Sequence, residues 1–182
     1  PLSLHSKLRE KNDENRLRNY NRFLSITNSE PHKNNNNLVN AWTSLAEEGS
    51  FPELIIVTTK LDRNLEKLIS QAVELNHANI KVFENIDHEH MSSFYQDSDC
   101  LIFTSGCESL GLPLLEARAA NISILASDQD FVYEICRPIS TFDPEEPLSI
   151  KDSVLSAIRG ELKHEPYFSK EEQILPISQI VN

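Results

Sequence analysis

The feature that most constrains this chain is the regular return of a short apolar run followed by a helical pattern. The runs are "RFLSIT" (22–27), "ELIIVTT" (53–59), "IKVFE" (80–84), "CLIFT" (100–104) and "SILA" (123–126). Between them, "LVNAWTSLAEE" (38–48) sets Leu38, Ala41, Trp42 and Leu45 at the three-and-four spacing of an amphipathic helix. The next helix carries Leu61, Leu65, Leu68, Ile69, Ala72 and Val73 along one stripe, and "DHEHMSSFYQ" (87–96) reads as a helix opening on Asp87. A continuous run such as "ELIIVTT" suits a strand buried on both faces. Strand and helix alternate about five times through short connections, which predicts a parallel sheet wrapped by helices on both sides. "STF" (140–142) is a last short strand. "SIKDSVLSAIRG" (149–160) is a helix, with Ser149 and Asp152 placed like a capping box and Gly160 as its stop.

The domain so predicted covers residues 22–160, preceded by a charged linker or interdomain segment (1–21) and followed by a weakly patterned tail (161–182) that Pro176 interrupts. The asparagine-rich stretch "NSEPHKNNNN" reads as a solvated loop and helix entry. A net charge of −11 argues against a nucleic-acid or anionic-membrane surface, and no apolar run is long enough to span a bilayer. The chain opens on Pro1 without a signal-peptide pattern, as a piece of a longer protein would. Cys100, Cys107 and Cys136 have no metal-ligand spacing, so free thiols in a reducing, cytoplasmic setting are expected.

In a sheet of this kind ligands bind beyond the carboxyl ends of the strands. That edge receives "ESLGLPLLEARAANISILASD" (108–128), where Glu108 and Glu116 flank Gly111 and Pro113. In one continuous helix the two carboxylates would lie about 80° apart. The breakers instead make Glu108 a loop residue, Pro113 the helix start and Glu116 a first-turn residue. A helix start offers free N–H groups and a positive dipole end to a phosphate or diphosphate, and Gly111 would let the backbone approach it. Glu116 could then reach ribose hydroxyls and Glu108 a second polyhydroxylated group. The plainer reading, which spacing alone favours, has Glu116 as a dipole partner and Glu108 as a solvated residue.

This motif resembles the signature of the family 4 glycosyltransferases (glycosyl transferases group 1), in which two glutamates flank a Gly-Leu-Pro turn. "FLSITNSEPHKNNNNLVNAW" and "NIKVFENIDHEHMSSFYQDSDCLIFTS" resemble segments that precede it in that family, and "FVYEI" and "FDPEEP" segments that follow. The resemblance implies a Rossmann-like three-layer α/β/α domain, the nucleotide-sugar-binding half of a GT-B enzyme, without its acceptor-binding N-terminal half. It implies a nucleoside-diphosphate-sugar donor, transfer with retention of configuration, and no metal or other cofactor. By resemblance Glu116 binds the ribose, Glu108 approaches the donor sugar, and the backbone of Leu110, Gly111 and Leu112 holds diphosphate and sugar. Lys33 falls on the phosphate-binding lysine, while Asn85 and Ile86 fall where the base rests. Lys33 and Glu108 are therefore the expected catalytic pair.

Three positions depart from the family pattern. Asn28 stands where the family often has an arginine, Ser109 replaces a usual glycine and Leu110 a usual phenylalanine. Asn28 is the best argument for a rival reading, a catalytically silent domain used for protein interaction. Another doubly wound nucleotide-binding domain is a second rival, weakened because no Gly-x-Gly-x-x-Gly follows the first strand. His88, Glu89 and His90 read as a solvated helix start, and Met91, Phe94 and Tyr95 as core. Cys107 reads as a passive buried thiol that could border the pocket, and Asp128 as a cap or turn residue.

Overall fold

The computed structural model describes residues 20–163. Its strands are β1 (Arg22–Thr27), β2 (Glu53–Thr58), β3 (Ile80–Glu84), β4 (Cys100–Phe103), β5 (Ser123–Ser127) and β6 (Ser140–Phe142). The helices are α1 (Asn35–Glu47), α2 (Arg63–Asn76), α3 (His88–Asp97), α4 (Leu112–Ala119), α5 (Asp130–Ile135) and α6 (Pro147–Ile158), with a 3-10 turn at Pro31–Lys33. All strand pairings are parallel, in the order β3-β2-β1-β4-β5-β6. This is the doubly wound Rossmann-like arrangement, and its strand order reverses direction between β1 and β4.

Side-chain alternation along the strands divides the core in two. Phe23, Leu54, Ile56, Cys100, Ile102 and Leu125 face α1, α2 and α6. Leu24, Ile55, Val57, Leu101, Phe103 and Ile124 face α3, α4 and α5. Trp42 anchors the first layer: it is 1% exposed, packs edge-on to Phe23 at 5.6 Å, and donates its indole N–H to Pro52 O at 2.9 Å. Tyr20, in the segment read as linker, is also in this layer, its hydroxyl 2.8 Å from Ser123 Oγ.

Several local expectations change. Helix α1 begins at Asn35, so three asparagines read as loop form its first turn; Asn34 caps it in the left-handed conformation, with φ of 53°. Asn35 is buried rather than solvated, because its amide donates to Asn28 O at 2.6 Å and its Oδ1 accepts from Thr27 Oγ1 at 2.7 Å. In α2 only Leu65, Ile69 and Ala72 are buried, and Val73 turns to the surface. The capping box proposed for Ser149 does not form, because α6 starts two residues earlier at Pro147 and Ser149 Oγ instead accepts from the Asp143 N–H at 3.0 Å. Helix α5 was not read from the sequence; six residues are too few to carry a helical period.

Candidate functional site

Two loops meet where the strand order reverses. β1 and β4 pair only through Phe23 with Cys100 and Leu24 with Leu101, then part toward their carboxyl ends. Beyond the fork, backbone and side-chain bonds join the loop after β1 to the loop after β4. Thr104 Oγ1 donates to Lys33 O at 2.6 Å, Asn34 Nδ2 to Thr104 O at 3.2 Å, and the Gly106 N–H to His32 O at 2.8 Å. Ser127 Oγ, at the end of β5, donates to Ser105 O at 2.6 Å. A small pocket lined by Ser25, Thr27, Lys33, Phe103, Thr104 and Ser105 lies in this fork.

The predicted catalytic pair is brought together here: the Lys33 ammonium is ion-paired and hydrogen-bonded to Glu108 Oε1. Their side chains are 13% and 14% exposed, so Glu108 is no solvated loop residue. With so little of either side chain open to solvent, each charge has the other as its neutralising partner.

The chain then turns at Gly111, which has φ of 61° and caps α4. A Cβ here would lie 2.7 Å from Ile135 Cδ1. The left-handed backbone favours glycine here, and any Cβ would also displace the end of the Ile135 side chain. The helix starts at Leu112, with Pro113 second, and the N–H groups of Leu114 and Leu115 both donate to Gly111 O, at 2.9 and 3.2 Å. Leu110 and Leu112 are exposed at the amino end of the helix, whereas Gly111 between them is buried.

Glu116 is the fifth helical residue and not in the first turn as expected, so it is not a partner of the helix dipole. Its Oε2 accepts from the Tyr95 hydroxyl of α3 at 2.6 Å. Burial and the Glu116 charge hold the Tyr95 phenol far above its ordinary ionisation range. The sequence reading placed Tyr95 in the core and missed this bond. A buried tyrosine nonetheless needs a hydroxyl partner, and that requirement was the available signal.

The remaining predicted residues are more scattered. Asn28 lies one residue past β1, where its Nδ2 donates to Glu30 Oε2 at 2.9 Å and its Oδ1 accepts from the Glu30 N–H at 3.1 Å. Asn85 and Ile86 follow β3, two strands away from β1 on the same edge. Asn85 is left-handed, with φ of 54°, and exposed, whereas Ile86 packs against the second core layer. Cys107 is exposed, contrary to expectation. Asp128 has a turn-stabilising role: its N–H donates to Phe142 O at 2.8 Å and its carboxylate accepts from the Tyr133 hydroxyl at 2.7 Å. Among the described residues no group of three or more His, Cys, Asp or Glu side chains is placed to hold a metal ion, and no helix is long and apolar enough to cross a membrane.

The family described as glycosyl transferases group 1 matches residues 6–173. The chain belongs to this family. It is 30% identical over 135 residues to the serotype-specific mannosyltransferase WbdA of Escherichia coli, a match covering 72% of this chain and 16% of that protein. The C-terminal domain of a glycosyl transferase group 1 family protein (LpcC) from Francisella tularensis superimposes with a TM-score of 0.66 at 20% identity, covering 80% of each chain. S. aureus TarM, in a complex that includes UDP, gives a TM-score of 0.65 at 14% identity over 82% of this chain and 30% of its own. These two likenesses concern the fold. The family match and the fold agree on a glycosyltransferase group 1 domain.

Proposed function

We propose that this chain is the donor-binding domain of a retaining, family 4 glycosyltransferase of GT-B architecture, acting in glycan or glycoconjugate biosynthesis. The observation that carries the reading is the Lys33–Glu108 pair at the fork between β1 and β4, beside the amino end of α4. A nucleoside-diphosphate sugar fits the chemistry of these groups in order along the edge. The base lies near Asn85 and Ile86, and the ribose hydroxyls reach Glu116. The diphosphate sits between Lys33 and the backbone of Leu110, Gly111 and Leu112, and the sugar lies against Glu108.

In this scheme the diphosphate takes the Lys33 ammonium, and the freed Glu108 carboxylate accepts hydrogen bonds from sugar hydroxyls. As the glycosidic bond breaks, charge grows on the departing phosphate oxygen. Lys33, the backbone of Leu110, Gly111 and Leu112 and the positive end of the helix dipole stabilise it there, without a metal ion. In a GT-B cleft a second domain would bring the acceptor. The relatives described as mannosyltransferases make mannose the first donor sugar to test.

Calorimetry of the purified chain against UDP, GDP and ADP and their mannose or glucose conjugates tests the reading. It should bind one nucleoside diphosphate and its conjugate without transferring sugar by itself. A chain that binds none of them is the silent interaction domain, a reading that Asn28, tied to Glu30 in place of a second cation, specifically favours.

A further inference from the structure

We propose that Tyr95 is a positioning residue for the donor site, holding the Glu116 carboxylate in the orientation that receives a ribose diol. The proposal rests on the reading that Glu116 binds the ribose. Tyr95 lies on α3 and Glu116 on α4, so their bond at 2.6 Å ties together two helices of the same layer. The ring is 1% exposed and belongs to the core cluster containing Leu24, Leu101, Leu114 and Ala117, so the rest of the fold fixes its hydroxyl. That hydroxyl also lies 3.4 Å from Pro113 O, at the start of the same helix.

The chemistry is one of lone pairs and rotation. The terminal torsion of a glutamate is broad and two-fold, so an unrestrained carboxylate samples many directions. A fixed donor on Oε2 removes that freedom. It leaves Oε1, which has no hydrogen bond among the described residues, and the second lone pair of Oε2 for two neighbouring hydroxyls. Because burial keeps the phenol protonated, Tyr95 can only donate to this carboxylate at working pH. A carboxylate held in place before the ligand arrives loses less freedom on binding.

The experiment measures, by calorimetry on the full 182-residue chain, the affinity ratio between a nucleoside diphosphate and its 2′,3′-dideoxy analogue. The nucleotide is whichever of UDP, GDP and ADP binds wild type most tightly, and inorganic pyrophosphate is the control. Tyr95→Phe should lower the ratio by about fivefold or more while pyrophosphate affinity is unchanged, a pattern that general loosening of the core would not produce. Glu116→Gln should lower it at least as far, and the double variant no further than Glu116→Gln alone. If Glu116→Gln lowers the ratio and Tyr95→Phe leaves it at the wild-type value, the positioning role is overturned and the ribose reading stands. If Glu116→Gln leaves the ratio intact, or wild type shows no preference for the ribose form, the ribose reading falls and takes the proposal with it. Should Tyr95→Phe not fold, Tyr95→Met fills the space without a hydroxyl and is read by the same criteria.

Discussion

The ammonium of Lys33 and the carboxylate of Glu108 neutralise each other across the two loops that close the fork between β1 and β4. On the proposed donor-binding reading, an incoming diphosphate would compete with Glu108 for Lys33. Glu108→Gln removes the competitor and should tighten pyrophosphate and nucleoside diphosphate binding several-fold, whereas Lys33→Ala should weaken both by about 1–3 kcal/mol, the range for a hydrogen bond to a charged group. Calorimetry with pyrophosphate reads this directly. Equal weakening by both variants would mean that the pair acts only to hold the loops.

Gly111 makes a prediction about stability. Its φ of 61° and the 2.7 Å approach of a hypothetical Cβ to Ile135 Cδ1 both oppose a side chain. Gly111→Ala should destabilise by about 1–3 kcal/mol, combining backbone strain with overpacking. Urea denaturation of Gly111→Ala, Ile135→Val and the double variant separates the two contributions. The steric part should be recovered when Cδ1 is removed, and the backbone part should not.

Glu53 should control stability in acid. It begins β2, is 8% exposed, and receives the side chains of Lys81 from β3 and Arg22 from β1. Burial raises its ionisation range, but the hydrogen bonds and charges of Lys81 and Arg22 outweigh this, and the net effect is a lowering. A carboxyl lowered on folding stabilises the protein above its unfolded value, about 4.3, and that contribution disappears as pH falls through the folded value. Wild type should therefore lose stability between neutral pH and pH 3 more steeply than Glu53→Gln, as followed by thermal melts across that interval. Parallel curves for the two proteins would remove Glu53 from the account.

The cysteines should differ in reactivity. Cys107 is exposed and Cys100 and Cys136 are buried; burial also pushes the Cys136 thiol up to about 11 and the Cys100 thiol higher still. Maleimide should label one site in the native protein, identified by mass as Cys107, and all three after unfolding. A bound nucleotide sugar should slow the native reaction, since Cys107 adjoins Glu108.

The layered sheet was legible in the sequence because its strands are continuous apolar runs and its longer helices carry full periods. The short α5 has neither signal. The site was legible in part. The spacing around Gly111 and Pro113 identified a turn into a helix, and the family pattern pointed to Lys33. The contact of Lys33 with Glu108 was not readable, because it depends on how β1 and β4 lie side by side. The same is true of Tyr95 and Glu116: each was noticed, but their bond spans two helices whose relative placement no local pattern encodes. Asn35 shows the converse, a polar residue read as solvated that is buried because its amide completes the loop after β1.

The reversal of strand order between β1 and β4 also bears on how the protein acquires its site. Lys33 and Glu108 are 75 positions apart in the chain, and two complete strand–helix units lie between them. Closing so long a segment is entropically unfavourable and slow compared with forming the local β1-β2-β3 neighbourhood. A nascent chain that has completed β3 already holds Lys33 on a partial sheet, but it has no Glu108 and no α4. The Lys33–Glu108 pair therefore arrives in one step, when the second half of the sheet docks on β1, and refolding chains should regain helical signal before any nucleotide binding that depends on the pair.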